Sequence, residues 1–148
     1  DRLLFGIARC QPLMRGGIHH IDLTVKDAVR SRPFYEAVLG HMGYVLATVY
    51  PGGYCDFDLN RTRFCSIGIR GESGPNAGRT HDRYTPGLHH IAWEAESRAD
   101  VDALYAVLQN MGATILDAPA EYPQYGPTYY AVFFADPDGL KLEYVHKP

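Results

Sequence analysis

The chain has 148 residues, 46% of them hydrophobic and 21% charged, with a formal net charge of −3. That is the make-up of a globular protein whose length suits one shared core better than two independent ones. A mildly acidic balance without a Lys/Arg run excludes nucleic acid as the main partner, since phosphate binding needs clustered positive charge. No apolar stretch approaches the roughly 20 residues that cross a bilayer.

Residues 1–16 are expected to form an N-terminal extension, and Asp1 to Arg15 lacks the ordered basic, apolar and small-residue regions of a secretory signal. Cys10, Cys55 and Cys65 are odd in number and scattered, without a C-x-x-C spacing, which points to a reducing cytoplasm. Cys55 and Cys65 are expected as small buried apolar side chains. From Gly17 onward the chain states one pattern twice. Gly17-Ile18-His19-His20-Ile21 returns as Gly87-Leu88-His89-His90-Ile91, Tyr35 to Leu39 lies over Tyr105 to Gln109 at the same offset, and Met42-Gly43 lies over Met111-Gly112 one residue tighter. Two copies are too few for a solenoid, so two similar modules about a pseudo-twofold axis are expected.

In the first module, residues 17–70, Ile18 to Val25 alternates as a half-buried strand with Ile21, Leu23 and Val25 on one face and His20, Asp22 and Thr24 on the other. Asp27 is an expected N-cap for a helix from about Val29 to Leu39, with Gly40 at its stop. Tyr44 to Tyr50, Tyr54 to Leu59 and Thr62 to Arg70 read as three further strands joined by Pro51-Gly52-Gly53 and Asn60-Arg61 turns. Residues 71–86, rich in Gly, Ser, Pro and Asn, read as a linker. In the second module, residues 87–148, the order repeats: a strand from Leu88 to Glu94, a helix from about Ala99 to Met111, a strand near Ala113 to Leu116, a Pro-rich loop from Asp117 to Pro127, and strands from Thr128 to Phe134 and Leu140 to Val145. The predicted fold class is α+β, two tandem βαβββ modules forming a cupped mixed sheet with helices outside. The loop's Tyr122 and Tyr125 are expected to line a pocket, since loops on a rigid scaffold often carry specificity.

By strand alternation His90 shares its face with Ala92 and Glu94, the place that His20 holds in the first module. Symmetry would bring the two imidazoles together. In the last strand Glu143 shares a face with Lys141 and Val145, opposite Leu140, Leu142 and Tyr144. Two histidines and a carboxylate are a suitable ligand set for one divalent metal ion with open positions for water or substrate, where the ion polarises an oxygen. A lone strand histidine is more often a hydrogen-bonded structural residue, and a lone Glu a solvated charge; the repetition favours the metal. His19 and His89 are expected to support the ligands, while His41, His81 and His146, without repeated partners, read as surface residues. Tyr54, Asp56, Phe133, Lys141 and Tyr125 are candidates to bind substrate, with Tyr129 and Glu143 as candidate catalytic groups.

With these residues in view the chain resembles the vicinal oxygen chelate superfamily, which includes glyoxalase I, extradiol dioxygenases, fosfomycin-resistance transferases and bleomycin-binding proteins. The resemblance rests on Gly-Ile-His19-His20-Ile-Asp-Leu-Thr-Val, Phe34-Tyr35-Glu36-Ala37-Val38-Leu39-Gly40, Gly-Leu-His89-His90-Ile-Ala-Trp and Asp136-Pro137-Asp138-Gly139-Leu140-Lys141-Leu142-Glu143. It implies metal ligands at His20, His90 and Glu143, with zinc, nickel, manganese, cobalt or iron as the ion. In glyoxalase I a fourth ligand comes from the last strand of the first module, about Ser66 or Gly68 here. Neither can replace a carboxylate or amide, and Glu72 lies beyond the strand end. Extradiol dioxygenases place a Tyr where this chain has Phe133, which cannot donate a proton.

The expected function is therefore a cytoplasmic metal-dependent lyase or isomerase, acting on a small substrate that chelates the ion through adjacent oxygens and working as a homodimer. The alternatives are an Fe(II)-dependent extradiol-type dioxygenase and a small-molecule binding or resistance protein without turnover. Eleven tyrosines favour the last.

Overall fold

The computed structural model describes residues 15–148, so Cys10 and nearly all of the expected N-terminal extension lie outside the described residues. The first module runs β1 (His20–Val25), α1 (Ala28–His41), β2 (Val45–Val49), β3 (Cys55–Asn60) and β4 (Phe64–Gly71). The second runs β5 (Ile91–Glu94), α2 (Arg98–Asn110), β6 (Thr114–Glu121), β7 (Tyr130–Ala135) and β8 (Lys141–His146). The βαβββ duplication is thus present. Its eight strands fall into two four-stranded mixed sheets, ordered β1-β4-β3-β2 and β5-β8-β7-β6, in which β1 and β5 run parallel to β4 and β8 while the other pairs are antiparallel.

Local chemistry sets the helix ends in both copies. Asp27 accepts a hydrogen bond from the Arg30 amide and Ser97 one from the Asp100 amide, so each helix has an N-cap oxygen. At the other end Gly40 does not stop α1. The helix continues to His41, and Gly43, with φ of +94°, makes the left-handed exit. Its amide donates to the Gly40 carbonyl and that of Tyr44 to Leu39; Gly112 and Ala113 repeat the pair onto Gln109 and Leu108. The repeated Met-Gly is therefore a duplicated Schellman motif, built where a side chain at the glycine would be strained.

Each sheet has one helix-covered face. Leu23, Val25, Cys55, Phe57, Ile67 and Ile69 are buried under α1, and Val132, Phe134, Leu142 and Tyr144 under α2. The two helices also pack on each other, and one core runs through both modules. Phe34 of α1 lies 6.3 Å from Phe134 of β7 between ring centroids, and the buried Tyr35 hydroxyl donates to the buried Asp136 carboxylate at 2.7 Å. His41 Nε2 is 2.8 Å from Asp100 Oδ1 and its ring meets Tyr144 edge-on. His41, expected on the surface, is instead a partly buried tie between modules, because α1 extends past Gly40 to carry it there. Helix-to-helix packing leaves the opposite face of each sheet turned away from the core.

One strand is longer than its sequence suggests. β6 continues through residues expected to be loop, including Pro119, to Glu121. Proline is tolerated there because β6 is an edge strand and its pairing with β7 shifts register between Asp117 and Ala120. The extension carries the chain to a short 3-10 turn, Pro123–Tyr125, which leans the tyrosine loop over the open face of the second sheet. Cys55 is buried and its thiol pKa is raised by burial; Cys65 is only half-buried because it sits near the start of β4 beside exposed Phe64. No helix among the described residues is long and apolar enough to cross a membrane.

Candidate functional site

Strand pairing places the second module's polar residues side by side. Glu143 in β8 lies opposite Ala92 in β5 and Phe133 in β7, and His90 directly precedes β5. The result is a cavity of about 370 Å³ lined by His89, His90, Tyr125, Tyr129, Phe133, Lys141 and Glu143. Glu143 is its floor, only 2% exposed, and Phe133 is 6% exposed.

His90 Nε2 stands 3.1 Å from Glu143 Oε2, and the Tyr129 hydroxyl donates a short hydrogen bond to the other carboxylate oxygen, Oε1. Burial and this bond to Glu143 push the Tyr129 phenol well above its ordinary range, so it holds its proton as a donor at neutral pH. On the far side of His90, Nδ1 meets His89 Nδ1 at 2.7 Å. Burial, then the charges of His90, Lys141 and Arg83, lower the pKa of His89. A neutral His89 can accept or donate to its neighbour and so fix the tautomer of the ring that faces Glu143. Tyr122 adds an aromatic wall, stacked on Tyr125 with centroids 5.9 Å apart and edge-on to Phe133 at 5.3 Å.

The first module's open face is built differently. Arg70 donates to Asp56 at 2.7 Å and to Asp22 at 3.3 Å, and Tyr50 donates to the second Asp56 oxygen at 2.7 Å. Burial acts to raise the Asp56 carboxyl, but the bonds from Tyr50 and Arg70 outweigh it and hold the group below the usual carboxylate range. Sequence reasoning singled out Asp56 but passed over Arg70. The available signal was parity, since Arg70 follows Ser66 and Gly68 on the face of β4 that pairs with His20 and Asp22.

The predicted site residues therefore divide. His90, Glu143, Tyr129, Tyr125, Phe133 and Lys141 share one cavity. His20 is exposed on the first sheet, with His19 Nδ1 3.0 Å from its own Nδ1. Asp56 belongs to the Arg70 network, and Tyr54 packs against the core with its ring over Gly71. His20 does not line the cavity that holds His90 and Glu143 within one chain. Among the described residues no group of three or more His, Cys, Asp or Glu side chains is gathered closely enough to hold a metal ion. Glu72 is engaged elsewhere, accepting from the Gly78 amide in the linker.

His90 and Glu143 nevertheless fit a divalent ion as adjacent donors. Two ligands each about 2.0–2.1 Å from zinc in a tetrahedral shell stand about 3.3 Å apart, close to the 3.1 Å observed. The donor set is mixed imidazole and carboxylate, which suits zinc, iron, nickel, cobalt or manganese and selects none of them.

Known proteins share this architecture. The chain is 31% identical over 128 residues to the uncharacterised protein YqjT of Bacillus subtilis (strain 168), covering 86% of this chain and 97% of that protein. A candidate glyoxalase from Bacillus halodurans superposes with a TM-score of 0.75 at 28% identity, covering 90% of this chain and 97% of that one. A lactoylglutathione lyase from Agrobacterium tumefaciens, at 19% identity and a TM-score of 0.60 over 92% of this chain and 96% of its own, is alike in fold alone. The family model described as Glyoxalase/Bleomycin resistance protein/Dioxygenase superfamily matches residues 17–144, and the chain belongs to that superfamily.

Proposed function

We propose that this protein is a divalent-metal-dependent lyase or isomerase acting on a small substrate that offers two adjacent oxygens. The observation that carries the reading is Glu143, a carboxylate only 2% exposed at the floor of a cavity and 3.1 Å from an imidazole nitrogen. Withdrawing a carboxylate from water is costly unless a cation compensates it. A metal ion held by His90 and Glu143 would supply that charge and Lewis acidity toward a substrate oxygen.

The chain's own groups do the rest. Tyr129 holds its proton, orients the Glu143 carboxylate through Oε1 and is the nearest proton donor to it. Phe133, Tyr125 and Lys141 line the space for substrate. Phe133 puts a ring without a transferable proton beside Glu143, which favours lyase or isomerase chemistry over ring cleavage by an extradiol dioxygenase.

His20 enters the proposal through a second copy of the chain. β1 and β5 are both edge strands with unpaired backbone groups, and both polar sheet faces turn away from the helix core. A homodimer that seats the first module of one copy against the second module of the other would bring His20 to the His90–Glu143 pair and Asp56 to the rim. Such a protein belongs in a reducing cytoplasm, in keeping with free Cys55 and Cys65.

The test is zinc uptake by two variants, His20→Ala and Glu143→Ala, alone and after mixing. Each alone is expected to lose the site, while mixed dimers regain one intact site from His20 of one copy and Glu143 of the other. No zinc uptake by the wild type would sink the metal reading; undiminished uptake by His20→Ala, or none regained on mixing, would sink the shared site. Sequestration of a flat compound without turnover is the second reading, favoured by the Tyr122–Tyr125 stack. It predicts ligand affinity that survives complete metal removal.

A further inference from the structure

Lys141 gives the cavity a charge preference. It stands two positions before Glu143 on the same face of β8 and lines the same cavity. Among the described residues it forms no ion pair, whereas Arg32, Arg61, Arg70 and Arg98 each reach a carboxylate. Its Nζ rests instead 4.5 Å from the centroid of the Phe133 ring, on a wall of the cavity. An aromatic face steadies an ammonium without neutralising it. This lysine is therefore held in place with its counter-ion position open.

The surrounding charges have the same consequence. With a divalent ion against the Glu143 carboxylate, the floor would keep an excess positive charge, and Lys141 adds another. An anionic ligand is the one that balances both. Lys141 and Glu143 are two positions apart on one strand face, about 7 Å along the backbone, so one small ring-bearing ligand can reach both residues. The same cavity offers a flat surface: Tyr125 lines it and stacks on Tyr122 at an interplanar angle of 22°, and Tyr125 is 56% exposed, which leaves its ring accessible to a planar guest.

We propose that the substrate is a planar carboxylic acid, its adjacent oxygens on the divalent ion that His90 and Glu143 would hold, its ring beside Tyr125, and its carboxylate, distinct from the chelating oxygens, on the Lys141 ammonium. This rests on the reading of His90 and Glu143 as metal donors. Lys141 contributes selection among substrates: its ammonium donates to a carboxylate with charge on both partners, and to the uncharged carbonyl of the isostere with charge on one partner only.

The experiment is equilibrium binding to the zinc-loaded protein of 3,4-dihydroxybenzoate and of 3,4-dihydroxybenzamide, which share ring and chelating oxygens and differ only in the carboxylate. Wild type is expected to bind the acid about 10-fold tighter, the difference between a charged and a neutral acceptor for the same ammonium. Lys141→Gln is expected to lose that preference and Lys141→Arg to keep most of it, with zinc content the same in all three. Equal affinities in the wild type, a preference that survives in Lys141→Gln, or no binding of either compound would overturn the proposal. Failure of the metal reading shows separately, as absent zinc. In that case benzoate against benzamide on the metal-free protein tests Lys141 alone, and a benzoate preference lost in Lys141→Gln supports the carboxylate position while its absence overturns it.

Discussion

The two open sheet faces descend from one pattern and hold their charges in opposite ways. On the first, Asp22, Asp56, Tyr50 and Arg70 satisfy one another. On the second, Glu143 is buried against His90 and Tyr129, and Lys141 has no counter-ion among the described residues. The register makes the divergence specific. Asp22 and Ala92 occupy matching positions of the repeat; Asp22 pairs with Gly68 and Ala92 with Glu143. Gly68 is thus the counterpart of Glu143, and the space above it is filled by Asp22 and Arg70. One copy buries its carboxylate between an imidazole and a phenol at the floor of a cavity, while the other has closed its charges into a network.

The sharpest way to break this contrast is Glu143→Ala, expected to weaken zinc binding by more than about 100-fold, since loss of mere supporting partners already costs 10–100-fold. Zinc titration with a competing chelator reads it, and Arg70→Met on the other face is expected to leave zinc affinity unchanged. A comparable loss in both variants would tie the Arg70 network itself to zinc binding. Tyr129→Phe removes the hydrogen bond to Oε1 but no ligand, and the same titration should register a drop of about 10–100-fold. An unaltered zinc affinity would remove Tyr129 from the positioning role.

The joint that holds the faces apart is expected to show in stability. Burial acts to raise the Asp100 carboxyl, but hydrogen bonds from Tyr144, the Glu96 amide and His41 prevail and hold it below the usual range. A carboxyl depressed on folding stabilises above its unfolded value, about 3.9, and that contribution fades as pH falls through the folded value. Asp100→Asn should therefore lower unfolding free energy by about 1–2 kcal/mol at pH 7 and by less near pH 3. Urea unfolding at both pH values measures this, and a difference independent of pH would remove the charge from the account. The smallest effect is expected at Gly68→Ala. The new methyl carbon would fall 2.0 Å from Asp22 Oδ1 and 2.9 Å from an Arg70 nitrogen, both ends of side chains that can withdraw at the cost of their ion pair. A loss of about 1 kcal/mol in thermal or urea unfolding, with no change in zinc binding, would match.

Much of this was readable in the sequence because repetition and alternation are properties of short segments. His20-Ile21-Asp22-Leu23-Thr24-Val25 gave both the strand and its buried side, whereas the first helix was expected to stop at Gly40 and runs on to His41. β6 escaped because proline normally argues against a strand, and only the edge position and irregular pairing make Pro119 acceptable. The separation of His20 from His90 escaped for a different reason. Pseudo-symmetry specifies that two faces are alike without specifying which way they turn, and that is decided by long-range packing of Phe34, Tyr35 and His41 against the second module. Arg70 was passed over because parity gives its face but an arginine near a strand end announces no partner.

The single core that runs through both helices has a further consequence for the connection between the modules. Residues 74–82 are all exposed and carry no helix or strand, so a protease could cut there while disturbing almost none of the buried surface. The halves would stay clasped by Phe34 on Phe134, Tyr35 on Asp136 and His41 on Asp100. Two fragments supplied separately would have reason to find each other, since each alone exposes the apolar side of its helix. The duplication thereby yields a pair of complementary pieces, and the exposed tether between them adds little to the surface they bury.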